Sequence, residues 1–337
     1  MKRAYSPPCT LGPGIVSQVA RVAEAVGKLS ARAEAGRDLR LRRDNRIRTI
    51  HGSLAIEGNT LSELQITAIL QGKRVAAPPR EIQEVRNALM AYEQLGRWRP
   101  TREADLLEAH RILMSGLADD AGTWRRQGVG VMAGSKLLHM APQADRVPQL
   151  MKDLLRWLAR TDAHPLIASA IFHYEFEFIH PFSDGNGRMG RLWQTLILGG
   201  WKPAFTEIPV ESLVHEHQDA YYRAIGESTR QADAAPFVAF MLDMILGAVV
   251  EATPQDAPQV TPQVERLLLA LHGAMSREAL QADLGLQDRK SFRERYLVPA
   301  LAGGWIEMCI ADKPSSRSQR YRLTGQGRKW QRNRPAR

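Results

Sequence analysis

Cysteine is scarce in this chain: Cys9 and Cys309 are the only two among 337 residues. A pair of thiols that far apart provides neither a disulfide framework nor the spacing of a zinc site, and it fits a reducing, cytoplasmic setting. Long apolar runs are also lacking. The most apolar stretch, Pro236 to Ala252, is interrupted by Asp243 and falls short of the roughly 20 residues that cross a bilayer. It is expected to be a core helix, and no membrane partner is expected. Met1 to Pro8 lacks the apolar segment of a secretory signal. No fixed-period repeat is visible, which sets aside solenoids and propellers. What remains is an ordinary globular balance, 44% hydrophobic and 24% charged.

The formal net charge of +10 is unevenly placed. Residues 257–337 hold fifteen Lys and Arg against seven Asp and Glu, and residues 1–50 hold eleven against four. The middle of the chain is therefore net acidic. Basic ends point to nucleic acid or an acidic partner, or to a solvated Arg-rich surface.

Apolar residues recur mostly at three- and four-residue spacing, the signature of helices. Thr60 to Glu63 has capping-box spacing and predicts a helix start near Leu61. Thr101 stands as an N-cap before the amphipathic run Ala104 to Met114. Pro78 and Pro79 separate two helical segments. One region breaks the pattern: Val129 and Val131 alternate, Gly134-Ser135 marks a turn, and Lys136 to His139 follows, which reads as a β-hairpin. Thr253 to Pro258, with Thr261-Pro262 soon after, is a Pro-rich linker. Beyond it come helical blocks at 263–271, 276–284 and 288–301. Two strand-like segments, Trp305 to Ala311 and Gln319 to Leu323, then flank a polar loop. Helices followed by a two-stranded ribbon suggest a winged helix-turn-helix.

The informative stretch is His180-Pro181-Phe182-Ser183-Asp184-Gly185-Asn186-Gly187-Arg188-Met189-Gly190-Arg191. An apolar helix at about 166–178 leads in and another at about 189–198 leads out, so the stretch is a loop ending at a helix N-terminus. Such an end offers unpaired N–H groups and partial positive charge, and Gly185 and Gly187 allow φ > 0 and close approach of a ligand. The result is an anion cradle. His180 can take a proton near neutral pH. Asp184 offers a hard oxygen for Mg²⁺. Asn186 can donate to a phosphate oxygen. Arg188 and Arg191 share a helix face and present forked donors suited to phosphate. Singly, each has a plain structural reading as a loop, turn or solvated face; together they are the parts of phosphoryl-type transfer.

These twelve residues resemble the Fic signature His-x-Phe-x-Asp/Glu-Gly-Asn-Gly-Arg-x-x-Arg at every defined position. The resemblance implies a mainly α Fic fold with a β-hairpin flap. It also implies ATP and Mg²⁺ as substrate and cofactor, and transfer of AMP to Ser, Thr or Tyr hydroxyls of a protein. By position, His180 would deprotonate the hydroxyl, Asp184 would hold Mg²⁺, Gly185 to Gly187 would form the anion hole, and Arg188 and Arg191 would hold the distal phosphates. Doc-type kinases carry Lys where this chain has Gly187, so Gly187 favours AMP transfer over phosphorylation.

Upstream, Ser53-Leu54-Ala55-Ile56-Glu57-Gly58-Asn59 resembles the family's inhibitory motif, here in the class with an N-terminal inhibitory helix. Glu57 would pair with Arg191 and take the fork that a γ-phosphate needs. Further on, His217-Gln218-Asp219-Ala220-Tyr221-Tyr222 is similar to a segment that usually reads Asn-Arg-x-x-Tyr-Tyr and helps hold adenosine, with His217 and Gln218 as departures. On this reading His217, Tyr221 and Tyr222 join Gly185, Asn186, Gly187, Arg188 and Arg191 in binding nucleotide. The layout is then an N-terminal helical segment (1–100), a Fic core (101–252), a linker (253–262) and a winged domain (263–337). The partners to test are a target protein on the 129–139 hairpin, self-modification, a homodimer, and DNA through 277–323. Two alternatives stay open: removal of AMP at the same site, and a DNA-binding regulator.

Overall fold

The computed structural model describes residues 5–33, 39–133, 136–253, 260–310, 316 and 318–332. The chain divides into two compact units, Met1–Thr253 and Pro254–Arg337. The first consists of helices α1 (Pro13–Ala33), α2 (Leu39–Ile56), α3 (Glu63–Leu70), α4 (Pro79–Gln94), α5 (Glu103–Leu113), α6 (Val147–Leu158), α7 (Pro165–Ile179), α8 (Asn186–Trp201), α9 (Val210–Glu216), α10 (Gln218–Gln231) and α11 (Ala235–Ala252). One hairpin interrupts them, β1 (Gly130–Ala133) against β2 (Lys136–Met140). The mainly α fold and the hairpin are as expected; the predicted turn at Gly134-Ser135 lies outside the described residues.

α7 runs through the centre. Thirteen of its fifteen residues are buried, because it is apolar all round rather than on one stripe. Phe172 and Phe176 face one core cluster with Ile50, Leu54, Leu106 and Trp193. Ile171 and Tyr174 face a second with Val22, Val26, Phe237 and Leu242. α8 packs against α7 after the tight loop at 180–185, so the loop is held by two buried helices. The 18 residues of α11 are long and apolar enough to cross a membrane by length and composition. Here the helix packs against α1, α7, α9 and α10 and buries Phe237, Val238, Met241, Leu242 and Ile245.

Two expected caps shift. The capping box forms at Ser62 with Gln65 as its reciprocal partner, while Thr60 instead gives its N–H and hydroxyl to Glu81. Thr101 is not a cap, since α5 begins after Arg102 with no side-chain cap.

The second unit holds α12 (Pro262–Ala270), β3 (Met275–Ser276), α13 (Arg277–Asp283), α14 (Arg289–Phe292), a π-helical turn at Arg293–Leu297, α15 (Val298–Ala302), β4 (Ile306–Met308), β5 (Arg320–Leu323) and α16 (Gly325–Arg332). The strands form an antiparallel sheet in the order β3-β5-β4. The two-residue β3 and the closing α16 carry too little pattern to read in advance. Leu267, Leu280, Phe292, Tyr296 and Trp305 form this unit's own core. Arg289, Lys290, Arg293 and Arg295 are exposed.

Candidate active site

His180 ends α7 in the left-handed conformation, φ 50° and ψ 63°, rare for a residue with a side chain. Such a backbone persists only where its surroundings fix it, at a cost of roughly 1–3 kcal/mol. Arg125 does much of the fixing. Its Nε donates to the His180 carbonyl at 2.7 Å and its Nη2 to the Ile179 carbonyl at 3.2 Å. Its backbone N–H reaches the Pro181 carbonyl at 3.0 Å. The same guanidinium donates to Gln127 and Pro142 on either side of the hairpin, so the hairpin base and the loop share one clamp. The carbonyl of Glu177, 3.4 Å from Nδ1, can only accept. That places the Nδ1 proton inward and leaves the Nε2 lone pair available.

Phe182 anchors the loop. It is fully buried, which contributes roughly 2–3 kcal/mol. It stacks on His110 with centroids 3.5 Å apart and planes within 2°. His110 accepts from Gly122 N–H at Nδ1 (2.8 Å) and meets the Asp184 carbonyl at Nε2 (3.0 Å). Those partners demand the neutral Nε2–H form, and burial pulls the imidazole down to about 4. Gly185 then turns the chain at φ 82° into α8; a side chain there would strike Met114 and His110. The sequence offers no motif for His110, whereas Arg125 closes Gly122-Thr123-Trp124-Arg125, a stretch similar to a Fic flank.

Asp184 is about half exposed. Its Oδ1 accepts from Gly185 N–H at 2.6 Å and from Arg188 at 3.3 Å, and its Oδ2 from Arg80 at 3.1 Å. Arg188 is buried, with Glu84 3.6 Å away on its other side. Arg191 is 2% exposed. Its Nε donates to Ser53 Oγ at 3.1 Å, and Nη2 to the Ser53 carbonyl at 2.9 Å and to Glu57 Oε1 at 2.7 Å. Burial pulls this guanidinium down, but Glu57, Tyr221 and Glu177 together outweigh it and the net shift is upward. Nη1 of Arg191 and Nε of Arg188 are buried without hydrogen-bond partners.

Ser53 and Glu57 therefore do meet Arg191, across 134 residues in the case of Glu57. The helix carrying them stops at Ile56, so Glu57 sits in the following turn rather than on the helix face. Gly58 takes φ 89°, and Asn59 ties the turn to α4 through Glu81 and Glu84. Gln218 Nε2 donates to the Ile56 carbonyl at 2.8 Å and pins the same turn to α10.

A model of the Fic/DOC family matches residues 100–198, and one described as "Filamentation induced by cAMP protein Fic-like, C-terminal domain" matches 262–324. The crystal structure of a Fic family protein from Desulfovibrio desulfuricans G20 is 55% identical, covers 95% of this chain and 99% of its own, and superposes with a TM-score of 0.73. This chain belongs to the Fic family. Fic-1 of C. elegans (residues 134–508) is 25% identical over 71% of this chain and 73% of its own, with a TM-score of 0.58. Among curated proteins, "Protein adenylyltransferase Fic" of Drosophila erecta is 30% identical over 263 residues, 73% of this chain. The Aedes aegypti protein of that name is 30% identical over 212 residues, 58% of this chain. The chain spans half or less of the length of these curated relatives, 50% and 40%.

With the Fic fold in place, several of these residues have internal partners. The Asn186 side chain accepts from Phe182 N–H and donates to the Phe182 carbonyl, both at 2.9 Å, closing the loop on itself. Gly187 has ordinary helical backbone; its smallness matters because a Cβ would collide with the Glu57 carboxylate and lie 3.1 Å from Arg191. Tyr221 is 2% exposed, bonded to His173 Nε2 at 3.1 Å and packed on Phe237. Its apolar flanks make it a core residue. His217 is exposed, its Nδ1 bonded to the Leu213 carbonyl. Tyr222 is half-buried beside Glu57, which together with burial raises its phenol.

Proposed function

We propose that this chain is a protein adenylyltransferase that moves AMP from ATP to a Ser, Thr or Tyr hydroxyl of a protein, held back by Glu57. The observation that carries this is the pair of buried guanidinium nitrogens without partners, on Arg188 and Arg191 of α8, with His180 at the other end of the loop that opens this helix. Family membership and the names of the curated relatives support it.

The triphosphate would lie along the start of α8, its charge met by the backbone amides and the two arginines. His180 Nε2 takes the proton of the target hydroxyl as its oxygen attacks the α-phosphorus. The new P–O bond forms there, the bond to the β-phosphate oxygen breaks, and pyrophosphate leaves. Asp184 fits Mg²⁺: it offers exposed hard oxygens, and this ion needs only one or two carboxylates when phosphates supply the rest. Among the described residues no group of three or more His, Cys, Asp and Glu could hold a metal alone, so the ion would arrive with the nucleotide. It would neutralise phosphate charge. Glu57 blocks the productive pose because its carboxylate already occupies the inner fork of Arg191. A target segment would pair with the free edge of the hairpin, whose base shares the Arg125 clamp with His180.

Intact mass after incubation with ATP and Mg²⁺ tests this. An adduct of one AMP on the Glu57→Gly protein or a co-incubated target, absent with His180→Ala, is expected; no adduct with either would overturn it. Loss of a pre-formed AMP adduct instead would favour the reverse reaction.

A second reading concerns the C-terminal unit, which we read as a winged helix. Exposed Arg289, Lys290, Arg293 and Arg295 along one helical stretch favour duplex DNA. A gel shift that weakens steeply with salt would support it.

A further inference from the structure

Glu177 precedes His180 by three residues on α7 and is 5% exposed. Its Oε2 stands 4.0 Å from Nδ1 of His180, and its Oε1 3.7 Å from Nε2 of His173. Oε1 has no hydrogen-bond partner. A buried carboxylate so poorly bonded is costly unless cations compensate it. The groups around it are specific. His173 places Nδ1 against Gln194 Oε1 at 2.7 Å and Nε2 against Tyr221 at 3.1 Å. Arg191 faces the carboxylate from α8, Tyr221 and Tyr222 from α10, and His139 from β2. Gly190 makes the room: a Cβ there would lie 2.7 Å from Glu177 Oε1 and 2.9 Å from the His173 ring. Burial pushes Glu177 up, yet His173, His180 and Arg191 outweigh it and the group sits below the usual carboxylate range. It is an ionised carboxylate shielded from water.

The geometry points to Glu177 as a positioning residue: its carbonyl accepts from Nδ1 and orients the His180 ring, and its buried carboxylate, 4.0 Å behind Nδ1, stabilises the imidazolium formed when Nε2 takes a proton. Glu177 itself stays unprotonated; the Nδ1 proton remains on the ring, and the hydroxyl proton remains on Nε2 until product leaves. Its neighbours leave it suited to this. Arg191 is already engaged by Ser53 and Glu57, and His173 by Gln194 and Tyr221, whereas the His180 ring is the partner that changes charge during a turnover. The kinetic consequence rests on the AMP-transfer reading above; the effect on the ring does not.

The test is imidazole titration by NMR in Glu57→Gly protein, with the His180 signals identified by their loss in His180→Ala. An opposite charge within about 4–6 Å favours the charged form by one unit or more. Glu177→Gln is therefore expected to lower the His180 midpoint by about one pH unit. AMP transfer should lose about ten- to a hundredfold in kcat with KM for ATP unchanged, and the acid limb of the kcat profile should move to lower pH. Glu177→Asp keeps the charge and should restore part of the midpoint. Should Glu177→Gln fail to fold, Gly190→Ala, which displaces the carboxylate without removing it, is expected to lower the midpoint as well. An unmoved midpoint, or equal losses in kcat and ATP affinity that Glu177→Asp does not relieve, would leave Glu177 a packing residue only. If the parent protein transfers no AMP, the titration still decides, so the two readings fail separately.

Discussion

Glu57 Oε1 lies 2.7 Å from Arg191 Nη2, and the turn that carries it is fixed from three sides, by Ser53, Asn59 and Gln218. The pairing is therefore built into the fold rather than a loose surface contact. Removing the carboxylate frees the inner fork without moving the arginine, which Ser53 still holds through two hydrogen bonds. Glu57→Gly is expected to raise AMP transfer by ten- to a hundredfold, the scale of restoring a misplaced substrate to attack geometry. Labelled-ATP incorporation measures it; equal rates in mutant and parent would remove Glu57 as an inhibitor.

Gly52 offers a way to release the same turn from outside the site. α2 crosses α9 so closely there that a Cβ would come within 2.6 Å of the Glu211 and Ser212 backbone. Gly52→Ala must push α2 outward. The expected result is a loss of about 1–3 kcal/mol in unfolding free energy together with higher AMP transfer than the parent. Chemical denaturation and the incorporation assay read the two effects; destabilisation with unchanged transfer would mean the turn does not follow α2.

Asn186→Ala deletes both hydrogen bonds that close the loop on Phe182. Leaving the Phe182 N–H and carbonyl unpaired in a buried site costs about 1–3 kcal/mol. His180 and the amide cradle then lose their fixed spacing, and transfer should fall about a hundredfold. ATP affinity, measured by calorimetry, should fall much less, because the arginines remain. A comparable collapse of affinity would return Asn186 to direct phosphate contact.

His110 gives the site a pH dependence with a defined sign. Its folded-state value is lowered from 6.5 to about 4 by burial, so the unfolded chain binds the extra proton first. Stability from the neutral ring is fully present above about pH 6.5 and is lost as pH falls toward about 4. The total is on the order of 3 kcal/mol. His110→Gln, which cannot titrate, should be less stable than the parent at pH 7.5, and the gap should narrow by pH 4.5. Urea unfolding at both values checks this; a constant gap would show that His110 does not titrate on unfolding.

Much of this was legible in the residues. The motif at 180–191 carries its own turn chemistry, the apolar runs on either side predict α7 and α8, and Ser53 and Glu57, read through the resemblance, both meet Arg191, although Glu57 does so from the turn after α2. The internal partners were not legible: Asn186 and Tyr221 were read by what their polar atoms offer a ligand, and the fold also uses those atoms against Phe182 and His173. His110 and Glu177 have no local signature, because their roles exist only once distant segments converge. Thr60 and Thr101 have capping chemistry, but Glu81 takes the first and the chain path passes over the second.

The order of the two partners along the chain has a consequence in time. A nascent chain emerges from its amino end, and domains fold roughly as they emerge. Glu57 is thus synthesised 134 residues before Arg191. On the reading proposed above, the guard is already made when the lock appears, and a newly born molecule need never pass through an uncorked state.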